Sequence, residues 1–189
     1  TPAIGGVGLI KDYQNMVTMD LKEADNILLV IGKTEGHLDQ SLFARDILNE
    51  KNGPPPEINL FNEKNNGETI LRLIDKKYIK SAHDVSLGGI ITALSKMCIK
   101  GKKGVTLKKQ NYLINQFEYL FGEDQGRYIV EISKDDLESA TKILQENSVH
   151  FDELGSVNDD SLIIDEKTKV SIDDLIKSHT NWLTNYMEN

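Results

Sequence analysis

Five consecutive apolar residues, Ile27-Leu28-Leu29-Val30-Ile31, preceded by Asn26 and closed by Gly32, constrain this sequence more than any other feature. Successive side chains of a strand point to opposite sides of a sheet, so such a run has no polar face to offer water. It must lie inside a sheet whose two faces are both covered. The rest of the chain has to supply the partner strands and the covering helices.

It does so in alternation. Val7-Gly8-Leu9-Ile10 reads as a short buried strand behind Gly5-Gly6, and residues 11–25 as a polar stretch without a sustained period. Ser41 to Leu48 has helical character, with Leu42, Ile47 and Leu48 able to face a core, and Gly53-Pro54-Pro55-Pro56 ends it because proline lacks the N–H a helix needs. Leu60 to Lys77 predicts a helix with Ile70, Leu71 and Ile74 on one side, and residues 80–85 a strand end or loop. Gly88 to Ile99 is an apolar helix stopped by Gly101 and Gly104; Val105–Leu107 and Arg127–Ile132 are further strands.

Ser133 with Asp136 resembles a capping box opening a helix through Gln145, with Leu137, Ala140, Ile143 and Leu144 as its buried stripe. His150–Val157, a turn at Asn158-Asp159-Asp160 and Ser161–Asp165 predict a β-hairpin. A final helix begins at Ser171, and Ile172, Leu175, Ile176, His179, Trp182, Leu183 and Tyr186 share one of its faces. The pattern predicts an α/β (α+β) fold: a mixed β-sheet packed by helices, a layered sandwich of two or three layers. The length of 189 residues fits one domain, or one domain plus a fragment of another.

Charge narrows the partners. With 22 basic and 30 acidic residues the formal charge is −8, so no net positive field draws the chain to nucleic acid or to an anionic membrane surface. No apolar run approaches the length of a membrane span and no signal peptide opens the chain. The single cysteine, Cys98, allows no intrachain disulfide, fits a reducing compartment, and reads as a small buried hydrophobe rather than a reactive thiol. Opening on Thr1 instead of Met predicts processing, or excision from something longer.

Three segments could carry chemistry. In His83-Asp84-Val85-Ser86-Leu87-Gly88-Gly89, paired glycines at a helix start allow close backbone approach, and the free N–H groups favour an anion such as phosphate. His83 can move protons and Asp84 can orient partners; the bland alternative is a glycine turn with a surface histidine and a capping Asp84 or Ser86. In Phe121-Gly122-Glu123-Asp124-Gln125-Gly126-Arg127, Glu123 could coordinate magnesium and Arg127 could clamp a phosphate; the alternative is a solvated loop with a Glu–Arg pair. Gly36-His37-Leu38-Asp39-Gln40-Ser41 sits between strand and helix, where Ser41 could cap or bind phosphate, but it carries no P-loop pattern.

Read in order, Thr1–Ile10, Gly36–Ser41, His83–Gly89 and Leu120–Arg127, with the Gly53–Pro56 block and the ending His179–Met187, resemble the synthetase (large, PurL-type) subunit family of phosphoribosylformylglycinamidine synthase. The resemblance implies the aminoimidazole-ribotide (AIR)-synthase-like architecture. Residues 1–12 would be the tail strand of a preceding ATP-binding-type domain, 13–25 a connection, and 26–189 the C-terminal domain.

It also implies an ATP-dependent ligase of purine biosynthesis in the cytoplasm. ATP would activate the amide oxygen of formylglycinamide ribonucleotide, and ammonia from glutamine would displace phosphate to give the amidine. The cofactors implied are ATP and Mg2+. The partners implied are the preceding domains, a glutaminase subunit, a small PurS-type subunit and the nucleotide substrate, with no nucleic acid and no membrane.

On that resemblance His83 and Asp84 are the catalytic candidates, and Ser41, Arg45, Ser86, Gly88, Gly89, Gln125 and Arg127 the substrate- or phosphate-binding ones, with Glu123 as the metal candidate. The fragment is expected to be inactive alone. Two positions depart from the family: Asp39 stands where glycine is usual, and Leu87 where an acidic residue usually precedes the glycine pair. Two other readings are a non-catalytic structural or assembly domain, and a superfamily relative with other ATP-dependent chemistry, against which Phe121–Arg127 speaks.

Overall fold

The computed structural model describes residues 3, 5–10, 12–109 and 114–188. Thr1, Pro2, Ile4 and Lys11 of the expected tail strand, and Asn189 at the end of the expected domain, lie outside the described residues.

The apolar run forms β1 (Ile27–Ile31), and its last four residues are at most 1 % exposed. It is flanked antiparallel by β4 (Arg127–Ile132) on one side and β5 (Phe151–Asn158) on the other. Among the described residues the sheet has seven strands, ordered β2 (Ile79–Val85), β4, β1, β5, β3 (Gly104–Leu107), β6 (Ser161–Ile163), β7 (Lys169–Ser171). All pairings are antiparallel except β3 with β6, which makes the sheet mixed as expected.

Strand alternation sorts the core into two clusters, one on each face. Leu28, Val30 and Ile129 belong with α2 (Gly89–Gly101), α3 (Gln116–Phe121) and the start of α5 (Ile172–Met187). Leu29, Ile31, Val130 and Ile132 belong with α1 (Leu60–Asp75) and α4 (Leu137–Glu146). The result is a three-layer sandwich. In the turn ahead of α4, Ser133 Oγ accepts from Asp136 N at 3.2 Å, one half of the expected capping box, while Asp136, the residue that precedes the helix, makes no side-chain cap.

The predicted hairpin is not formed. β3 inserts between β5 and β6, pairing antiparallel with the first and parallel with the second, and the real hairpin is β6–β7. Gly104 makes room for this step: a side chain there would collide with Asn158 Oδ1 and the backbone of Ser161 as the turn crosses the strand. Helix faces are also revised. Leu73, not Leu71, continues the buried stripe of α1 with Ile70, because three residues keep to one face and one residue rotates about 100° away. Residues Ala44–Leu48 form a π-helical turn whose buried residue is Ala44, so Ile47 and Leu48 face solvent. Only the first two turns of the α5 stripe reach the core; Trp182, Leu183 and Tyr186 are exposed, with Trp182 stacked on Tyr186 at 5.7 Å.

Residues 7–10 join no strand among the described residues, and Val7 and Leu9 are fully exposed. The stretch that follows is fastened to the sheet. Ala82 N donates to Thr18 O at 3.1 Å along the β2 edge, and Leu21 is buried. Glu131, 0 % exposed on β4, accepts from Lys22 N, Glu23 N, Asn26 Nδ2 and Ser81 Oγ at 2.7–3.2 Å.

Candidate functional site

The loop between α3 and β4 gathers the three segments singled out in the sequence. The capping box of Asn115 and Glu118 starts α3, and Gly122 N closes it on Glu118 O at 2.9 Å. The next residues then reach in different directions. One oxygen of Glu123, Oε1, accepts Leu42 N and Gly88 N, each at 2.8 Å, joining the start of the 42–48 turn to the N-terminus of α2. Glu123 N donates to His37 O at 2.8 Å. The buried carboxylate of Asp124 accepts the backbone N–H groups of Glu35, Gly36 and His37 at 3.0–3.2 Å.

Arg127 was expected to clamp a phosphate, and its geometry differs. It is 1 % exposed, donating to Asp124 O at 3.1 Å, Thr34 Oγ1 at 3.1 Å and Gly122 O at 2.6 Å, and it pairs with Asp124 Oδ2 at 3.5 Å. Burial pulls its pKa down, opposed by the neighbouring Asp124 carboxylate. A guanidinium whose N–H groups meet protein oxygens in this way is a strut of the loop.

Between this loop, the end of β2 and α1 lies a cavity of about 220 Å³, lined by Glu63, Asp84, Val85, Ser86, Leu87, Glu123, Gln125, Gly126, Arg127 and Tyr128. Five expected residues therefore meet: Asp84, Ser86, Glu123, Gln125 and Arg127. The remaining candidates do not line it. Ser41 is buried and caps the 42–48 turn, its Oγ accepting Ala44 N at 3.1 Å. Arg45 is turned to its neighbour Asp46 in two contacts of 2.7 and 2.9 Å, which raise its pKa. Gly88 and Gly89 take φ of +82° and +70° at the start of α2, and a Cβ on Gly89 would stand 2.7 Å from Leu120 O and Gly122 O, so this turn requires glycine.

His83 stands beside the cavity on β2, its Nδ1 3.0 Å from Asp84 Oδ1 and its Nε2 buried without a hydrogen-bond partner among the described residues. Of the two departures, Leu87 is exposed on the cavity wall, while the Asp39 carboxylate packs against Gly53, away from it.

Sequence reasoning missed Glu63 and Tyr128. Glu63 lies in the first turn of α1, whose Asn59 cap accepts Asn62 N at 3.0 Å, and the cap-and-acid pattern was the available signal. Tyr128 faces the opposite side of β4 from Arg127; burial, then Glu63 and Asp84, push its phenol pKa up. Three carboxylates line the cavity, and the guanidinium of Arg127 is engaged inward, so the walls present hydrogen-bond acceptors to a ligand. Among the described residues no group of three or more His, Cys, Asp or Glu is placed to hold a metal ion by itself.

A family profile, AIR synthase related protein, C-terminal domain, matches residues 23–166. The chain belongs to this family. The AIR-synthase-related domain is 94 % identical, over all 189 residues, to phosphoribosylformylglycinamidine synthase subunit PurL of Pelagibacter ubique (strain HTCC1062), covering 26 % of that protein. It is 41 % identical over 188 residues to the PurL subunit of Bartonella tribocorum, covering 99 % of this chain and 25 % of the relative. The chain thus spans about a quarter of the length of the curated relatives it matches. T. maritima PurL complexed with FGAR has the same fold, with a TM-score of 0.72 at 18 % identity over 86 % of this chain and 30 % of that one.

Proposed function

We propose that this chain is the AIR-synthase-related C-terminal domain of a phosphoribosylformylglycinamidine synthase synthetase subunit, and that it contributes one wall of a ligand cleft in that ligase. The observation that carries the reading is the 94 % identity to a PurL subunit along the entire chain. The reaction is the ATP-dependent conversion of formylglycinamide ribonucleotide to the amidine, with ammonia from glutamine as nitrogen donor.

Within the domain, Asp84, Ser86, Gln125 and Tyr128 are the groups that meet a ligand, because they line the cavity and present oxygen and nitrogen atoms to it. Asp84 and Glu63 accept hydrogen bonds from ligand donors such as ribose hydroxyls or an amide N–H. His83, held through Nδ1 by Asp84, orients that carboxylate, and Ser41, Gly88 and Gly89 shape the loops behind it. ATP and Mg2+ belong to the full ligase. The preceding domains, a glutaminase subunit and a small PurS-type subunit are the partners of the assembly, which works in the cytoplasm. Among the described residues no helix is long and apolar enough to cross a membrane.

The test uses the full-length subunit carrying this domain, supplied with formylglycinamide ribonucleotide, ATP and ammonium chloride, with ADP release as readout. Asp84→Asn and Ser86→Ala should each lower kcat/KM by about tenfold with an unchanged melting temperature, the size expected for losing one ligand hydrogen bond. Unchanged rates in both would favour the second reading, an assembly domain, which rests on the exposed apolar face of Trp182, Leu183, Tyr186 and Met187.

A further inference from the structure

The Gly88-Gly89 helix start has the features of a phosphate site, yet its first N–H is already taken. The acceptor is Glu123 Oε1, and the same atom accepts Leu42 N from a segment 46 positions earlier in the chain than Gly88. A carboxylate therefore sits where an outside anion would sit, at the positive end of a 13-residue helix. The Gly89 N–H is also engaged, donating to Ser86 O at 3.1 Å.

Around this atom the wall of the cavity is built. Ser86 and Leu87 lead into the Gly88 contact, Gln125 follows two residues after Glu123, and its Nε2 donates back to Glu123 O at 3.3 Å. On the other side of the bond, the 42–48 turn is otherwise exposed apart from Ala44 and Leu42–Phe43, and Phe43 packs on Phe121 at 4.7 Å. Among the described residues, the Glu123 carboxylate makes the hydrogen bonds that tie the 42–48 turn to the start of α2.

We propose that Glu123 is a positioning and specificity-determining residue: its carboxylate acts as a built-in anion that pins the 42–48 turn to the N-terminus of α2, sets Ser86 and Gln125 on the cavity wall, and closes the helix start to ligand phosphate. The cavity then takes the donor-bearing part of a ligand, and the phosphate of a nucleotide lies elsewhere. This refines the cleft assignment above and rests on it for the identity of the ligand, but not for the pinning itself.

The experiment is amide hydrogen exchange on the full-length subunit, comparing wild type, Glu123→Gln and Glu123→Ala, each in chloride buffer and with added acetate or inorganic phosphate. The glutamine amide oxygen can accept the same two N–H groups, so Glu123→Gln should keep Leu42 and Gly88 within about threefold of wild-type exchange. Glu123→Ala should speed both amides at least about tenfold while Ile129–Ile132 in β4 stay protected, which separates local release from unfolding. Acetate or phosphate should restore protection at both amides in Glu123→Ala and change nothing at them in wild type.

Equal exchange at Leu42 and Gly88 in all three proteins overturns the proposal. So does faster exchange everywhere, β4 included, in both variants, or added protection of Gly88 by phosphate in wild type. If exchange follows the expected pattern while ligase kcat and KM do not move, the pinning stands and the assignment of this cavity to the ligase reaction falls.

Discussion

Replacing Glu131 with glutamine tests how far a single buried carboxylate holds residues 22–26 onto the sheet. Glu131 Oε1 accepts Asn26 Nδ2 at 2.7 Å, Glu23 N at 3.1 Å and Lys22 N at 3.2 Å, and Oε2 accepts Ser81 Oγ at 2.8 Å and Lys22 N at 2.9 Å. The amide nitrogen settles best at the Oε2 position, since the Ser81 hydroxyl can turn round and accept from it. Lys22 N then loses its 2.9 Å partner and keeps only the longer contact, and the remaining bonds lose their charge assistance. One weakened backbone bond and two or three de-ionised ones, at about 0.5–1 kcal/mol each, amount to about 2 kcal/mol of lost stability. For a chain of this size that is a fall of about 4–8 °C in melting temperature.

Because the site is fully buried, the difference should persist in high salt, where surface pairs are screened. The assay is urea and thermal denaturation followed by far-ultraviolet circular dichroism, with amide exchange at Lys22 and Glu23 as the local readout. A variant within about 0.5 kcal/mol of wild type, the usual scatter for surface changes, with Lys22 and Glu23 still protected, would refute the reasoning.

Two further outcomes follow from packing. Cys98 is 0 % exposed and burial pushes its thiol from the ordinary value of 9.0 up to about 12. Iodoacetamide at pH 8 should leave it unmodified in the folded chain and label it in denaturant, and its contribution should be full below pH 9.0 and decline as pH rises towards about 12, because the unfolded thiol loses its proton first. Gly89→Ala places a Cβ 2.7 Å from three backbone atoms at a φ of +70°, so it should cost about 3 kcal/mol and lower the yield of folded protein, checked by denaturant midpoint.

Much of the scaffold was legible in local patterns. The run Ile27–Ile31 announced a doubly covered strand, and the runs in α2 and β4 announced theirs, because an apolar period states which faces of an element avoid water. The same logic failed for the 151–163 region. Period and turn residues are alike whether two strands pair directly or, as here, admit β3 between them, and only the packing at Gly104 distinguishes the cases. It failed again for Ile47, Leu71 and Trp182, where an apolar residue is no guarantee of a covering neighbour.

The candidate site divides along the same line. The residues of Phe121–Arg127 stood out by type, and the structure does bring that segment against the other two. What each charge does there was undetermined by sequence. Arg127 turns inward to three backbone and side-chain oxygens, Asp124 holds the 35–37 loop, and Glu123 spans two helical starts. Glu63 and Tyr128 join the cavity from α1 and β4, outside the three segments singled out in the sequence. The sequence by itself determined the central strand, the helices α1, α2, α4 and α5, and which residue types cluster near glycines, since those are local properties of the chain. The tertiary structure alone decided which backbone N–H groups meet which carboxylates, because such partners lie up to 109 residues apart and come together only when the sheet order is set.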